Sequence, residues 1–87
     1  MYNVIIKRKL LRNIRKMPEQ IQKKMANLVE DLRDKGPIRN DWPNYGKLGA
    51  ERYHCHIAYH WVACWYWEKD TITIEVYYAG SRENAPY

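Results

Sequence analysis

The chain has 87 residues, enough for one domain over 1–87 with a thin core. An apolar fraction of 46% and twelve aromatics (eight Tyr, four Trp, no Phe) exclude a disordered segment, and no run approaches the roughly 18 apolar residues of a membrane span. The net charge of +5 is uneven: residues 7–35 hold ten Lys or Arg against four acids, a pattern that fits a polyanion or an acidic protein partner.

Residues 2–7 read as a short strand rich in Val4, Ile5 and Ile6. Leu10, Leu11, Ile14 and Met17 then mark one apolar stripe on a short basic helix. Pro18 and Glu19 open a second helix, with Ile21, Met25, Leu28 and Leu32 on one face and Val29 beside them. Gly36 and Pro37 end it, and residues 36–50 are loop. The period then switches to two. Strands are expected over 52–58, 61–68 and 71–79, followed by the polar tail GSRENAPY. The expected fold class is α+β in the order β-α-α-β-β-β, an antiparallel sheet packed on an N-terminal helical hairpin. The start MYNVIIKRK has no signal-type apolar stretch, so a cytoplasmic chain with reduced Cys55 and Cys64 is expected.

The stretch RYHCHIAYHW carries all three histidines. Alternation turns Arg52, His54 and His56 to one face and Tyr53, Cys55 and Ile57 to the other. The apolar set should meet the helices. On the next strand Val62, Cys64 and Tyr66 alternate with Trp61, Ala63, Trp65 and Trp67. On the last, Ile72, Ile74, Val76 and Tyr78 share a face, and Thr73, Glu75 and Tyr77 take the other. The second face is expected to combine histidines, Arg52, Tyr77 and tryptophans.

Histidine exchanges protons near neutral pH. Two of them about 7 Å apart along a strand can flank a phosphodiester, one deprotonating a ribose 2′-OH and the other protonating the leaving oxygen. Arg82 just past the last strand suits the charge of such a transition state. Two plainer uses remain open: solvated polar residues, or zinc ligands in an H-x-H pair. Both cysteines are expected to face away, and no Asp or Glu stands near on that face, which argues against a metal. The thiols read as small core residues, and the basic run as a solvated helix face.

The element order, the junction MPEQIQKK, the loop YGKL and the tail GSRENAPY together resemble the RelE/HigB family of bacterial type II toxins over essentially the whole chain. The resemblance implies a ribosome-dependent endoribonuclease that cuts mRNA in the A site by 2′-OH attack, with no metal or other cofactor. Matched by position, His54 and His56 stand where RelE toxins carry lysines. His60 stands for an arginine near the start of the next strand, Arg82 for the tail arginine, and Tyr87 for the final aromatic. Lys7, Arg8, Lys9, Arg12, Arg15 and Lys16, with Lys47 and Arg52, would then face ribosomal or messenger RNA. The implied partners are a cognate antitoxin, the ribosome with its mRNA, and operator DNA only through the antitoxin complex. The related ParE branch, which inhibits DNA gyrase without cutting RNA, is the alternative.

Overall fold

Local chemistry explains the helical hairpin. The computed structural model describes residues 1–87. Strand β1 (Asn3–Ile6) leads into helix α1 (Arg8–Arg15), which buries Leu10 and leaves Arg8, Lys9, Arg12 and Arg15 in water. Pro18 caps helix α2 (Glu19–Lys35). It has no N–H to leave unpaired, and its carbonyl accepts from the backbone N–H groups of Ile21 and Gln22. The Gln22 side chain turns back and donates to the carbonyls of Arg15 at 3.0 Å and Met17 at 2.8 Å. One amide thus ties the end of α1 to the start of α2.

At the far end of α2, Gly36 has φ +96°, and a Cβ there would lie 2.8 Å from Cε1 of Tyr2. Only glycine lets the tyrosine ring close over the helix end. The Tyr2 N–H donates to the Arg33 carbonyl at 2.8 Å, fixing α2 against the start of β1.

Four further strands follow: β2 (Gly46–Lys47), β3 (Arg52–Ala58), β4 (Trp61–Trp67) and β5 (Thr73–Ser81), in the sheet order β1-β5-β4-β3-β2. The α+β class and the helical layer on one face match the expectation. Two details differ. Residues 36–50 contain the short edge strand β2, and the sheet is mixed, because β1 pairs parallel to β5 with Val4 opposite Ile74. The reason is topological. The helical hairpin returns the chain to the start of β1, and the meander from β2 to β5 then arrives at that edge running the same way as β1. The last strand also begins at Thr73 and reaches Ser81, later at both ends than its sequence suggests.

The core lies between the layers. Met25, Leu28 and Leu32 of α2 pack with Tyr53, Cys55, Ile57, Trp65, Ile74 and Val76. Each large apolar side chain buried there contributes about 1.5–3 kcal/mol. Trp65 is fully buried, and its indole N–H donates to the Pro37 carbonyl at 3.1 Å, which removes the cost of burying a polar atom. The long loop is pinned too. The Trp42 indole donates to Asp31 of α2 at 2.8 Å, and the buried Arg39 donates to the Gly36 carbonyl and pairs with Asp41 at 3.1 Å. No helix is long and apolar enough to cross a membrane.

Candidate functional site

Strand β3 obeys its alternation. Tyr53, Cys55 and Ile57 are buried against the helices, while Arg52, His54 and His56 face the other way. Strand β4 corrects two expectations. Its tryptophans Trp61, Trp65 and Trp67 pack with the helical core and leave the histidine face. Cys64 does the opposite: it lies directly across from His54, on the histidine side, and only Cys55 points to the helices. The cysteines are not cross-strand partners, since Cys55 faces Ala63. On β5 the register shifts beside Cys64, so Tyr77 and Tyr78 both stand near it and Ala79 regains the core side.

His54 is the most enclosed of the histidines. Gly46 of β2 pairs with it on one side and Cys64 of β4 on the other. A Cβ on Gly46 would stand 3.2 Å from its Nε2. The Tyr87 ring lies over it, with centroids 4.9 Å apart. Its Nδ1 is buried with no hydrogen-bond partner. Burial, and secondarily the charge of His56, lower its pKa from the usual 6.5. His54 is therefore held neutral at physiological pH.

Next along the face is His56. Its backbone N–H donates to the Pro43 carbonyl at 2.8 Å, and the Asn44 amide nitrogen stands 3.4 Å from both ring nitrogens. Asn44 reaches it from a left-handed backbone conformation, φ 54°, which asparagine tolerates well. Beneath the pair, burial pushes the Cys64 thiol up to about 11, and the nearby Tyr77 hydroxyl moderates the rise. Burial also raises the hydroxyl pKa values of Tyr77 and Tyr87.

His60 is not on a strand. It occupies the two-residue turn between β3 and β4, its ring edge-on to Tyr59 at 4.4 Å. Its carbonyl accepts the backbone N–H of Arg82 at 2.8 Å, which pins the single 3₁₀ turn Arg82–Asn84 beside the hairpin. The exposed Arg82 guanidinium lies 5.6 Å from the Tyr59 ring, and its charge acts on Tyr87. The tail thus links Arg82 through Tyr87 to His54.

The basic residues separate into groups. Arg52 lies on the histidine face, 6.0 Å from the Tyr77 ring. Lys7 reaches the same face and pairs with Glu75 at 3.6 Å. Lys9 lines a hollow with Lys7, Glu75 and Tyr77. Arg8, Arg12 and Arg15 of α1, and Lys16 just past it, are exposed. Lys47 shares a face with Tyr53 and lies over its ring at 5.6 Å, on the helix side of the sheet.

No three His, Cys, Asp or Glu side chains are grouped so as to hold a metal ion. The chemistry on offer is proton transfer by a neutral imidazole beside a second, more open one, with arginine charge nearby. Sequence reasoning missed Gly46, Asn44 and Cys64 as neighbours of the site, and placed Glu75 on the face with Tyr77 without counting it as near the histidines. The glycine in YGK was the one legible signal among them.

No protein-family model matches the sequence, and no curated protein matches it by sequence. Solved structures match closely in shape. The archaeal RelE–RelB complex from Pyrococcus horikoshii OT3 aligns with a TM-score of 0.75 at 11% identity, covering 97% of this chain and 98% of that one. The RelBE2 toxin–antitoxin complex from Mycobacterium tuberculosis aligns with a TM-score of 0.70 at 16% identity, over 93% and 98%. The isolated E. coli RelE toxin aligns with a TM-score of 0.71 at 11% identity, over 99% and 89%. The chain therefore has the RelE toxin fold along essentially its whole length.

Proposed function

We propose that this chain is the toxin of a type II toxin–antitoxin pair, and that it cuts mRNA in the ribosomal A site. The fold supports the toxin reading, since the solved chains it resembles include RelE toxins. The observation that carries the nuclease reading is the state of His54: neutral, enclosed by Gly46, Cys64 and Tyr87, and two residues from the more open His56.

In this scheme His54 takes the proton from the ribose 2′-OH, because only a neutral imidazole accepts one. The resulting oxygen attacks the adjacent phosphate. His56, nearer water, protonates the leaving 5′-oxygen. Arg82 stabilises the extra negative charge on the phosphorane, and Tyr87 holds the His54 ring and contacts substrate. His60 positions Arg82 through its carbonyl. Each proton and each charge is handled by a side chain, so the reaction needs no metal or other cofactor.

Two of the similar structures contain antitoxins, RelB in one and the RelBE2 partner in the other. An antitoxin with an acidic binding segment suits the exposed Arg8, Arg12, Arg15 and Lys16 of this chain. Operator DNA would be met only through that complex. On the ribosome the same cations would meet RNA phosphates, making binding strongly salt-dependent.

The test is primer extension on a defined mRNA programmed on ribosomes, with and without the purified protein. Cuts confined to the A-site codon are expected. Growth arrest without cuts, accompanied by DNA damage, would instead favour gyrase inhibition of the ParE kind.

A further inference from the structure

The contact between Asn44 and His56 differs from an ordinary hydrogen bond. An amide nitrogen that bonds an imidazole in the ring plane approaches one ring nitrogen and stays away from the other. The Asn44 nitrogen stands 3.4 Å from both. A position in the ring plane that met both distances would collide with Cε1. The amide therefore lies over the face of the ring.

The loop that carries Asn44 is anchored on the other side of the sheet. The Trp42 indole donates to Asp31 of α2 at 2.8 Å, and the Tyr45 ring stacks with those of Tyr53 and Trp65, in each case with centroids 6.2 Å apart. Between these anchors, Pro43 and Asn44 reach the histidine face. The Pro43 carbonyl accepts the His56 backbone N–H at 2.8 Å, and the next residue meets its ring. Asn44 makes the turn with φ 54°, a conformation that asparagine and glycine adopt with little strain. Two consecutive residues thus hold the backbone and the side chain of His56. No other side chain is in polar contact with that ring.

Asparagine suits this place because its amide has two different ends. The NH₂ end can face the electron-rich face of a neutral imidazole, and flipping the amide presents the carbonyl oxygen to an imidazolium. The ring can then gain or lose a proton without leaving its position. A group that hands a proton to a leaving oxygen needs that constancy.

We infer that Asn44 is the positioning residue of His56, holding its ring in one orientation through both protonation states. For the reaction the inference rests on the nuclease reading, in which Asn44 aims the general acid at the 5′-oxygen. The hold itself stands without that reading.

Two measurements test it. In the free protein, the Hα–Hβ couplings of His56 should report one rotamer in the wild type and an average in Asn44→Gly, a variant that keeps the backbone turn. Cleavage is then compared on ribosomes carrying ordinary mRNA and mRNA with sulfur in place of the scissile 5′-oxygen. A thiolate leaves without being protonated, so a defect in the acid disappears on the sulfur substrate. On ordinary mRNA, Asn44→Gly should lower the maximal rate roughly tenfold and leave ribosome affinity unchanged. His56→Gln should lower it about 10²- to 10⁴-fold. Both should cut the sulfur mRNA at the wild-type rate. Averaged couplings in the wild type, or a single rotamer that survives in Asn44→Gly, overturns the inference. So does full-rate cleavage of ordinary mRNA by Asn44→Gly, or a slow Asn44→Gly on sulfur mRNA that His56→Gln cuts normally. A ring released by Asn44→Gly in a protein that makes no cuts keeps the hold and sinks the nuclease reading. Cleavage in which sulfur rescues neither variant keeps the nuclease, takes the acid role from His56 and overturns the inference with it.

Discussion

His54 stands directly across from Cys64 in the β3–β4 ladder, with the Tyr87 ring tilted 39° to it and its centroid 4.9 Å away. These neighbours are what keep the imidazole neutral, and they give the proposed reaction a pH signature. A base acts only when deprotonated, so the acid limb of the cleavage profile should fall below the ordinary histidine value of 6.5. His54→Gln should cost about 10²- to 10⁴-fold in cleavage and remove that limb. The stability sign follows from the same shift. The unfolded chain takes the proton more readily than the folded one. The stability contribution is therefore full above about pH 6.5 and lost as pH falls through the lowered folded-state pKa. Thermal unfolding of the wild type and His54→Gln between pH 5 and 7, set beside cleavage profiles, checks both statements. An acid limb above 6.5 would remove His54 as the base.

Gly46 gives a milder way to disturb the same ring. A Cβ at this position meets His54 Nε2 at 3.2 Å, so the imidazole must give way by a few tenths of an ångström. Ala is a better strand residue than Gly by roughly 0.5–1 kcal/mol, which offsets much of the crowding. Gly46→Ala should therefore leave the unfolding midpoint nearly unchanged while cleavage falls about tenfold. Gly49→Ala is the control, because nothing lies within 4 Å of its added Cβ. Equal cleavage by the two variants would mean that the ring position is not critical.

The histidine face was legible on β3 because Tyr53, Cys55 and Ile57 alternate cleanly with polar residues. Strand β4 offered no such contrast. Val62 and Cys64 are as buried on the histidine side as Ala63 and Trp65 are on the other, so hydropathy does not report which side is which. The β5 shift beside Cys64 added a second break in the alternation, and bulges of this kind leave little trace in composition. The parallel pairing of β1 with β5 depends on where a long loop returns, which is a property of the whole chain. So is the approach of Tyr87 to His54, 33 positions away in the sequence. The helical hairpin was the opposite case. Its stripe, its proline and its closing glycine are all local signals, and each corresponds to a contact in the fold.

The two thiols should be chemically silent. Burial pushes Cys55 up to about 12 and Cys64 up to about 11, and the thiolate is the nucleophilic form. At pH 8 in native buffer, neither should react with iodoacetamide within an hour, as read by intact mass. Both should be alkylated in denaturant. Rapid native labelling of Cys64 would show that the floor beneath His54 opens to solvent.

Arg82 separates function from stability. Its backbone N–H bonds to the His60 carbonyl, but its side chain is exposed, with the Tyr59 ring 5.6 Å away as its neighbour. Arg82→Ala keeps the backbone bond and loses at most about 1 kcal/mol of exposed cation–π attraction. Loss of a transition-state charge contact costs far more, about 10²- to 10³-fold in rate. Growth arrest should disappear while the circular dichroism spectrum and melting curve stay close to wild type. A folded Arg82→Ala protein that still arrests growth would remove Arg82 from the mechanism.

Tyr87 divides into a ring and a hydroxyl, and the two can be tested apart. The ring lies against His54, while the residue as a whole is 54% exposed. Tyr87→Phe keeps the cover, so the His54 pKa, followed by NMR of the ring protons, should stay below the ordinary value. Tyr87→Ala removes the cover, rehydrates the imidazole and should raise that pKa toward 6.5. The cleavage rates then assign the hydroxyl. A Phe variant as slow as Ala means that the hydroxyl contacts the reacting nucleotide. A Phe variant as fast as wild type means that Tyr87 acts only by holding and drying His54. If Tyr87→Ala leaves the His54 pKa where it was, the enclosure by Gly46 and Cys64 suffices and the tail is not part of the base.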